Sequence, residues 1–453
     1  MGTSRGHDPR PSDSLRRERE LRGWSQAYLA QEVGAAGPYC VSRWERGVVS
    51  PSPYYRERLC RLFGRNAEEL GLIEPPLSGA AARASGDAPG SLPIPLTPLI
   101  GRAGEVSRAR SLFRREDVRL LTVTGAPGAG KTRLGLAVAW ELRRDFPDGV
   151  WFADLAPLGA RGQVGPTVQR ALGHCEPGGD GTIDAIASRL KERRALLVLD
   201  SFEHLLPAAP LLPHLLSRCP KLRLLVTSRA ALRSRGEHEL LVRPLPFPDA
   251  ADPSDPVLLA QVPSVALFVA RAQARSTEFR LTPRNACAVA AICRRLDGLP
   301  LAIELAAVWT TLLDPPALLA RLERRLPMLE GGAEDLPDRQ RTMRRALEWS
   351  YVLLSPGEQR LFRRLSVFTG SAPLSAVEVV CAAGGRLERG VLHLLGRLRD
   401  QNLVRCETDG ADPRVSMLEL VREYAHELLR SAGEARATER ALARYRPSSV
   451  ARR

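Results

Sequence analysis

The sequence predicts a multidomain protein with an all-α helix-turn-helix head, an α/β core built on a parallel sheet, a helical subdomain and a winged helix. Three observations predict it. Residues 15 to 70 repeat apolar positions at helical spacing with no strand signal, and a Pro/Gly/Ala-rich stretch over 73–98 then interrupts the chain. Beyond it, short apolar runs alternate with helical stretches as far as residue 264, where the runs nearly stop. A chain of 453 residues has room for roughly two to four domains with separate cores.

The head spans 12–72. Leu15, Leu21, Leu29, Ala30 and Val33 recur at helical spacing, Ser25 is an N-cap, and Gly34 breaks the second helix. Pro38 starts a third helix at its first position, Val41 and Trp44 face inward, and Gly47 ends it. Two short helices about a tight turn make a helix-turn-helix. The linker, 73–98, carries Pro75, Pro76, Pro89, Pro93, Pro95 and Pro98 and almost no charge. Such a chain spans about 25 to 30 Å on average, so the modules on either side are tethered rather than fused.

The core spans 99–248, with strands expected at 119–124, 150–155, 195–200, 222–227 and 239–242. A helical subdomain follows over 262–330 and a winged helix over 338–432, with paired strands at 403–406 and 413–417. Ser355-Pro-Gly-Glu358 is a capping box that starts a helix. Residues 433–453 read as a tail that loses its helical pattern at Pro447.

Residues 125 to 132, Gly-Ala-Pro-Gly-Ala-Gly-Lys-Thr, lie between the first apolar run and a helical pattern. Gly125, Gly128 and Gly130 let backbone N–H groups turn inward around an anion, with Ala129 and Arg133 in the same turn, and the N-terminus of the following helix attracts the anion too. In a phosphate-binding loop Lys131 reaches the β- and γ-phosphates and Thr132 ligates Mg²⁺. The chain holds only three lysines, so composition alone does not put one there.

The excess of 66 Lys and Arg over 51 Asp and Glu, a net charge of +15, suits an acidic partner, nucleic acid first, although an arginine bias throughout also fits a GC-rich genome. Eight cysteines without C-x-x-C pairs argue against a disulfide framework and a zinc site. No apolar run approaches the roughly 18 residues that cross a bilayer, and the expected location is the cytoplasm.

Ala195-Leu-Leu-Val-Leu-Asp200 is an apolar strand ending in a carboxylate, a second Mg²⁺ anchor through its water shell or an ordinary strand-end cap. Glu203 stands where it can orient an attacking water. Ser201 occupies the place of a second acid in many hydrolytic sites, which predicts at most slow ATP hydrolysis. Val226-Thr-Ser-Arg229 ends the next strand with an arginine that reports the γ-phosphate or simply lies on the surface.

Leu99-Ile-Gly-Arg102 with Glu105, the glycine loop, Leu197-Val-Leu-Asp200-Ser-Phe-Glu-His204, Val226-Thr-Ser-Arg229 and Gly298-Leu-Pro-Leu301 follow in the order seen in NB-ARC proteins of the STAND class of P-loop ATPases. The resemblance covers roughly 98 to 430. It implies a core, a helical subdomain and a winged helix packed around ADP, with Ile100 and Arg102 beside the adenine and Pro300 closing over the base. The stretch Met417-Leu418-Glu419 departs from the family's Met-His-Asp and lacks the histidine that touches the ADP β-phosphate.

Trp24-Ser-Gln-Ala-Tyr-Leu-Ala-Gln and Val41-Ser-Arg-Trp-Glu-Arg-Gly47 resemble the phage-repressor helix-turn-helix, which implies double-stranded DNA as partner. Ser25 and Gln26 would hold phosphates, and Tyr39, Ser42 and Arg43 would face base edges from the recognition helix. Residues 1 to 70 carry 12 basic against 9 acidic side chains, a mild surplus that predicts weak binding by one copy and useful binding by several together.

Taken together, these readings describe a bacterial transcriptional regulator in which ATP and ADP, with Mg²⁺, control homo-oligomer assembly and hence DNA occupancy. The alternatives are a DNA-stimulated ATPase that remodels nucleic acid and a nucleotide-dependent defence or signalling scaffold. Proteins of the resembled class commonly continue into repeats that sense a signal; the resemblance leaves three expectations for this chain, a sensor that is absent, one supplied by another signal or sensor protein, or one lost by truncation.

Overall fold

The computed structural model describes residues 13–33, 38–45, 51, 53–65, 70, 72, 92–158, 163–173, 182–249, 255–322, 329, 341–383, 390–408 and 412–445. The expected helix ends at Gly34 and Gly47, and the pattern break at Pro447, lie outside these. The chain forms two compact units, Met1–Asp87 and Ala88–Arg453.

Among the described residues of the first unit, four helices enclose a small core: α1 (Asp13–Leu21), α2 (Gln26–Val33), α3 (Pro38–Glu45) and α4 (Pro53–Phe63). Leu15, Leu29, Val33, Val41 and Leu59 are fully buried, and Trp44 joins them with its ring 5.2 Å from Tyr55. Ser25 caps α2 by accepting from the Tyr28 N–H at 3.0 Å.

The second unit is built on a five-stranded parallel sheet of β1 (Leu120–Gly125), β2 (Val150–Asp154), β3 (Leu196–Asp200), β4 (Arg223–Thr227) and β5 (Glu237–Val242), in the order β2-β3-β4-β1-β5. Both faces are covered, so the central strands are mostly apolar rather than alternating. Leu121, Val123, Val198 and Leu225 pack under α5 (Ala103–Arg114) and α6 (Lys131–Leu142). Leu120, Leu197, Leu199 and Leu224 pack against α7 (Val164–Ala171), α8 (Ile183–Leu190) and α9 (Leu211–Arg218).

Beyond the sheet, α10 (Pro256–Leu259), α11 (Pro263–Arg275), α12 (Ala286–Arg295), α13 (Pro300–Val308) and α14 (Pro315–Arg321) form a helical layer. Then come α15 (Met343–Val352), α16 (Pro356–Leu365), β6 (Ser371–Pro373), α17 (Leu374–Ala382), α18 (Val391–Asp400), β7 (Arg405–Glu407), β8 (Arg414–Ser416), α19 (Glu419–Ser431) and α20 (Ala435–Arg444). One core runs through both groups, from Val265 and Phe268 to Val421 and Tyr424.

The capping box at Ser355 and Glu358 forms as the sequence indicates. The two expected C-terminal strands are β7 and β8; the sequence did not signal β6, which adds a third strand antiparallel to β8. Part of the stretch set apart as a tail is the helix α20, with Thr438 fully buried. In the linker, residues 73–91 lie outside the described residues. Residues 92–98 run along the sheet unit, where Leu92 is buried and the Trp140 indole donates to the Pro93 carbonyl at 2.9 Å. Among the described residues, no helix is long and apolar enough to cross a membrane.

Candidate functional site

The glycine loop leaves the carboxyl end of β1, an interior strand between β4 and β5, and feeds α6. Gly128 has φ +76 and Gly130 φ +89, left-handed conformations that suit glycine and turn the loop back on itself. Gly130 is the N-cap of α6 and offers no side-chain cap, so the first-turn N–H groups, which lack intrahelical partners, keep the positive end of the helix open to an anion. Gly125 has a different constraint: a Cβ there would lie 2.5 Å from the Val242 carbonyl oxygen of the neighbouring strand.

A cleft of about 320 Å³ opens over this loop. Of the residues singled out in the sequence, Ile100, Arg102, Gly128, Ala129, Gly130, Lys131, Thr132, Arg133, Glu203, Arg229 and Pro300 all line it. Gly125 and Asp200 do not. The Lys131 ammonium donates to the carbonyls of Gly125 and Ala126 at 2.9 and 3.1 Å, spanning the loop from within. Arg102 is nearly buried, paired with Glu105 at 2.6 Å and donating to the carbonyls of Ala129 and Arg243, so it ties the segment before α5 to the glycine loop and to the end of β5.

Asp200 is buried at the end of β3, where its carboxylate accepts from the hydroxyls of Thr227 at 2.6 Å and Ser201 at 2.9 Å. The Thr227 hydroxyl also accepts from the Ser201 N–H at 2.9 Å. Thr227 and Ser201 line the cleft, so Asp200 stands behind them and acts on the cleft through two hydroxyls. Ser201 itself is held at φ +66.

Arg229 links the cleft to the C-terminal elements. Its guanidinium pairs with Glu203 at 3.3 Å and donates to the Ser350 hydroxyl on α15, and the three side chains are buried. The Asn402 amide donates to the Arg229 carbonyl at 2.6 Å, and nearby Arg233 pairs with Asp400. The helical layer covers the opposite wall. Pro300 opens α13, Leu301 N–H donates to the Gly128 carbonyl at 3.2 Å, and Arg271 pairs with Glu304 at 2.8 Å. Sequence reasoning missed Thr227, Arg271, Glu304, Ser350 and Asn402; Thr227 alone had a signal, its place in the strand-end motif that supplied Arg229.

Met417 and Leu418 precede α19, whose Leu420 N–H donates to the Asp297 carboxylate at 3.3 Å, while Glu419 pairs with Arg422. In the head, Ser25 is an exposed cap and the Gln26 amide donates to the Glu45 carboxylate at 2.7 Å. Ser42 is half-buried on α3; the side chains of Tyr39 and Arg43 on the same helix lie outside the described residues.

An N-terminal helix-turn-helix followed by an α/β core and a helical C-terminal half defines the class. A helix-turn-helix family model matches residues 15–70. The chain is 37% identical over 355 residues to Uncharacterized protein Rv0894 of Mycobacterium tuberculosis, covering 78% of this chain and 85% of that one, and it belongs to that protein's family. It is also 40% identical over 320 residues, 70% of its length, to "Putative HTH-type transcriptional regulator Rv0890c" of the same species, and 30% identical over 356 residues to Regulatory protein AfsR of Streptomyces griseus, 74% of its length. It spans about a third of each of those two longer proteins, 34% and 33%.

Proposed function

We propose that the protein is a cytoplasmic transcriptional regulator whose head binds double-stranded DNA and whose α/β core is switched by ATP and ADP with Mg²⁺. The glycine cradle fits a polyphosphate: its left-handed glycines, the uncapped start of α6 and the Lys131 ammonium all present positive charge or N–H groups to one place. Thr132 lines the cleft at the loop's end and would hold the metal ion, with Asp200 behind Thr227 and Ser201. The bound Mg²⁺ nucleotide would supply the charge that distinguishes the two states.

One observation carries the reading. Arg229 lines the cleft and is also held by Ser350 and Asn402 of the C-terminal half. A γ-phosphate that drew this guanidinium would compete with Ser350 for it, and a ligand shifts an equilibrium only through such differential contacts. Release of that hold frees a surface for assembly, and assembly joins several weakly binding heads on one DNA. The names of Rv0890c and AfsR support the regulatory part.

Light scattering of the full chain with ADP, with ATP, and after Lys131→Ala tests this. Mass should grow in ATP alone, and the substitution should abolish the growth; constant mass under every condition defeats the assembly model. Brisk ATP turnover stimulated by DNA would instead favour a remodelling ATPase.

A further inference from the structure

The cleft has a second cationic end. Among its lining residues, Arg229 is paired with Glu203, Arg102 with Glu105 and Arg271 with Glu304. Arg133 is different. Its guanidinium donates only to backbone carbonyls, Thr97 at 2.8 Å and Pro98 at 3.1 Å, and among the described residues it has no carboxylate partner. Arg271 reaches the same place from α11, with its guanidinium 3.3 Å from the Thr97 hydroxyl.

Two guanidinium groups from different layers therefore meet over residues 97–98, and the carboxylate of Glu304 pairs with only one of them, Arg271. The chain runs from there directly into Leu99 and Ile100 of the cleft wall. Both guanidinium groups donate to residues 97–98, whereas the Lys131 ammonium is anchored on the loop carbonyls of Gly125 and Ala126. Burial draws the Arg133 guanidinium below its ordinary value; Glu304 draws it back, and the like charge of Arg271 lowers it further. Holding two like charges beside one carboxylate in a partly closed cleft is unfavourable, and an anion bridging them would relieve it.

We propose that this arginine pair is an anion subsite for a phosphate on the ribose of the nucleotide, so that the cleft prefers nucleotides phosphorylated at a ribose hydroxyl as well as at the 5′ position. The inference rests on the nucleotide-binding reading above. Arginine suits the task because its planar fork binds a phosphate through two parallel N–H donors. A ligand bearing anions at both ends would meet Lys131 and the helix start at one end and Arg133 with Arg271 at the other.

Matched ligands test it. Calorimetry on the full chain would compare AMP with adenosine 3′,5′-bisphosphate and adenosine 2′,5′-bisphosphate, which differ from AMP by one phosphate, with ADP as the reference for the loop. At least one bisphosphate should bind about tenfold tighter than AMP, and that ratio should fall towards one in both Arg133→Ala and Arg271→Ala. Arg133→Lys, which keeps the charge and loses the fork, should retain part of the preference. Melting curves of each variant separate loss of the subsite from loss of the fold. Binding of ADP with no preference for either bisphosphate, or a preference unchanged by both alanine substitutions, overturns the subsite alone. Absence of heat from every nucleotide overturns the nucleotide-binding reading with it.

Discussion

Gly298 and Leu245 grip each other through their backbones: the Leu245 N–H donates to the Gly298 carbonyl at 2.9 Å, and a Cβ on Gly298 would stand 2.0 Å from the Leu245 carbonyl oxygen. Gly298 also has φ +64. Gly298→Ala therefore meets both backbone strain and overlap, and should cost about 1–3 kcal/mol. Its measure is a lower urea midpoint for loss of helical signal. Gly104→Ala is the control, because a Cβ there meets nothing within 4 Å inside a helix and should leave the midpoint unchanged or raised. Equal midpoints for the two variants would contradict the tight apposition.

What was legible in the sequence follows from how local each cause is. Strands β1, β3 and β4 are buried almost throughout, so each reads as a short, mostly apolar run rather than an alternation, with polar residues confined to strand ends and to Thr122 and Thr124 of β1. The cap at Ser25 and the capping box at Ser355 are set by neighbours three residues away. Strand β6 has three residues and owes its pairing to β8, more than forty positions on, so no local pattern announces it. The same holds for the cleft. The glycine loop is a contiguous word, whereas Ser350 reaches Arg229 across 121 positions and Arg271 reaches Glu304 across 33. Asp200 was recognisable as a strand-end carboxylate; that Thr227 and Ser201 stand between it and the cleft depends on the parallel register of β3 beside β4.

Cysteine reactivity should follow burial along α12. Burial pushes the Cys293 thiol up to about 12, and Cys381 likewise to about 12, leaving almost no thiolate near pH 8. Cys287, on the same helix, is exposed. Brief iodoacetamide treatment followed by peptide mass spectrometry should label Cys287 and spare Cys293 and Cys381 in the folded chain. Equal labelling of the three would mean that α12 and α17 are not packed with Cys293 and Cys381 in the core.

Acid should loosen the C-terminal helices. Burial raises the affinity of Glu434 for a proton, but hydrogen bonds from Arg363 and Arg364 outweigh it and hold the carboxyl below its ordinary value of 4.5. A carboxyl depressed in the folded state adds stability above its unfolded value and loses it as pH falls through the folded one. Stability of this region should thus decline below about pH 4.5, and Glu434→Gln should flatten that part of the profile while lowering the plateau above it. Hydrogen exchange over α16 and α20 at pH 6 and pH 4 reads the difference; identical pH profiles for wild type and variant would exclude the pair as the cause.

A buried ion pair ties the head together. Arg19 and Glu45 join α1 to α3 with side chains 9% and 3% exposed, and the Arg19 guanidinium also donates to the Trp24 carbonyl at 2.7 Å. Glu45→Ala would leave Arg19 buried without this carboxylate, at a cost of about 3–5 kcal/mol, which is a large share of what a small helical core supplies. Residues 13–65 should become accessible to protease in the full chain while the sheet unit stays resistant. Glu45→Gln, which still accepts a hydrogen bond, should lose less.

Arg229 offers the sharpest test of coupling between the cleft and the C-terminal half. Ser350→Ala removes a buried hydrogen bond to a charged group, at a cost of about 1.5–3 kcal/mol. Arg229→Met removes that bond and the Glu203 ion pair together while keeping an unbranched apolar stem in place of the lower part of the arginine. If the two residues act through their contact, the double variant should be less destabilised than the sum of the single ones, by an interaction of about 1 kcal/mol or more. Asn402→Ala, which severs only the link to the Arg229 backbone carbonyl, should add almost independently to Arg229→Met, because that carbonyl survives the substitution. Full additivity between Arg229 and Ser350 would show that the guanidinium does not carry the connection, and the proposed competition with a γ-phosphate would then have nothing to act on.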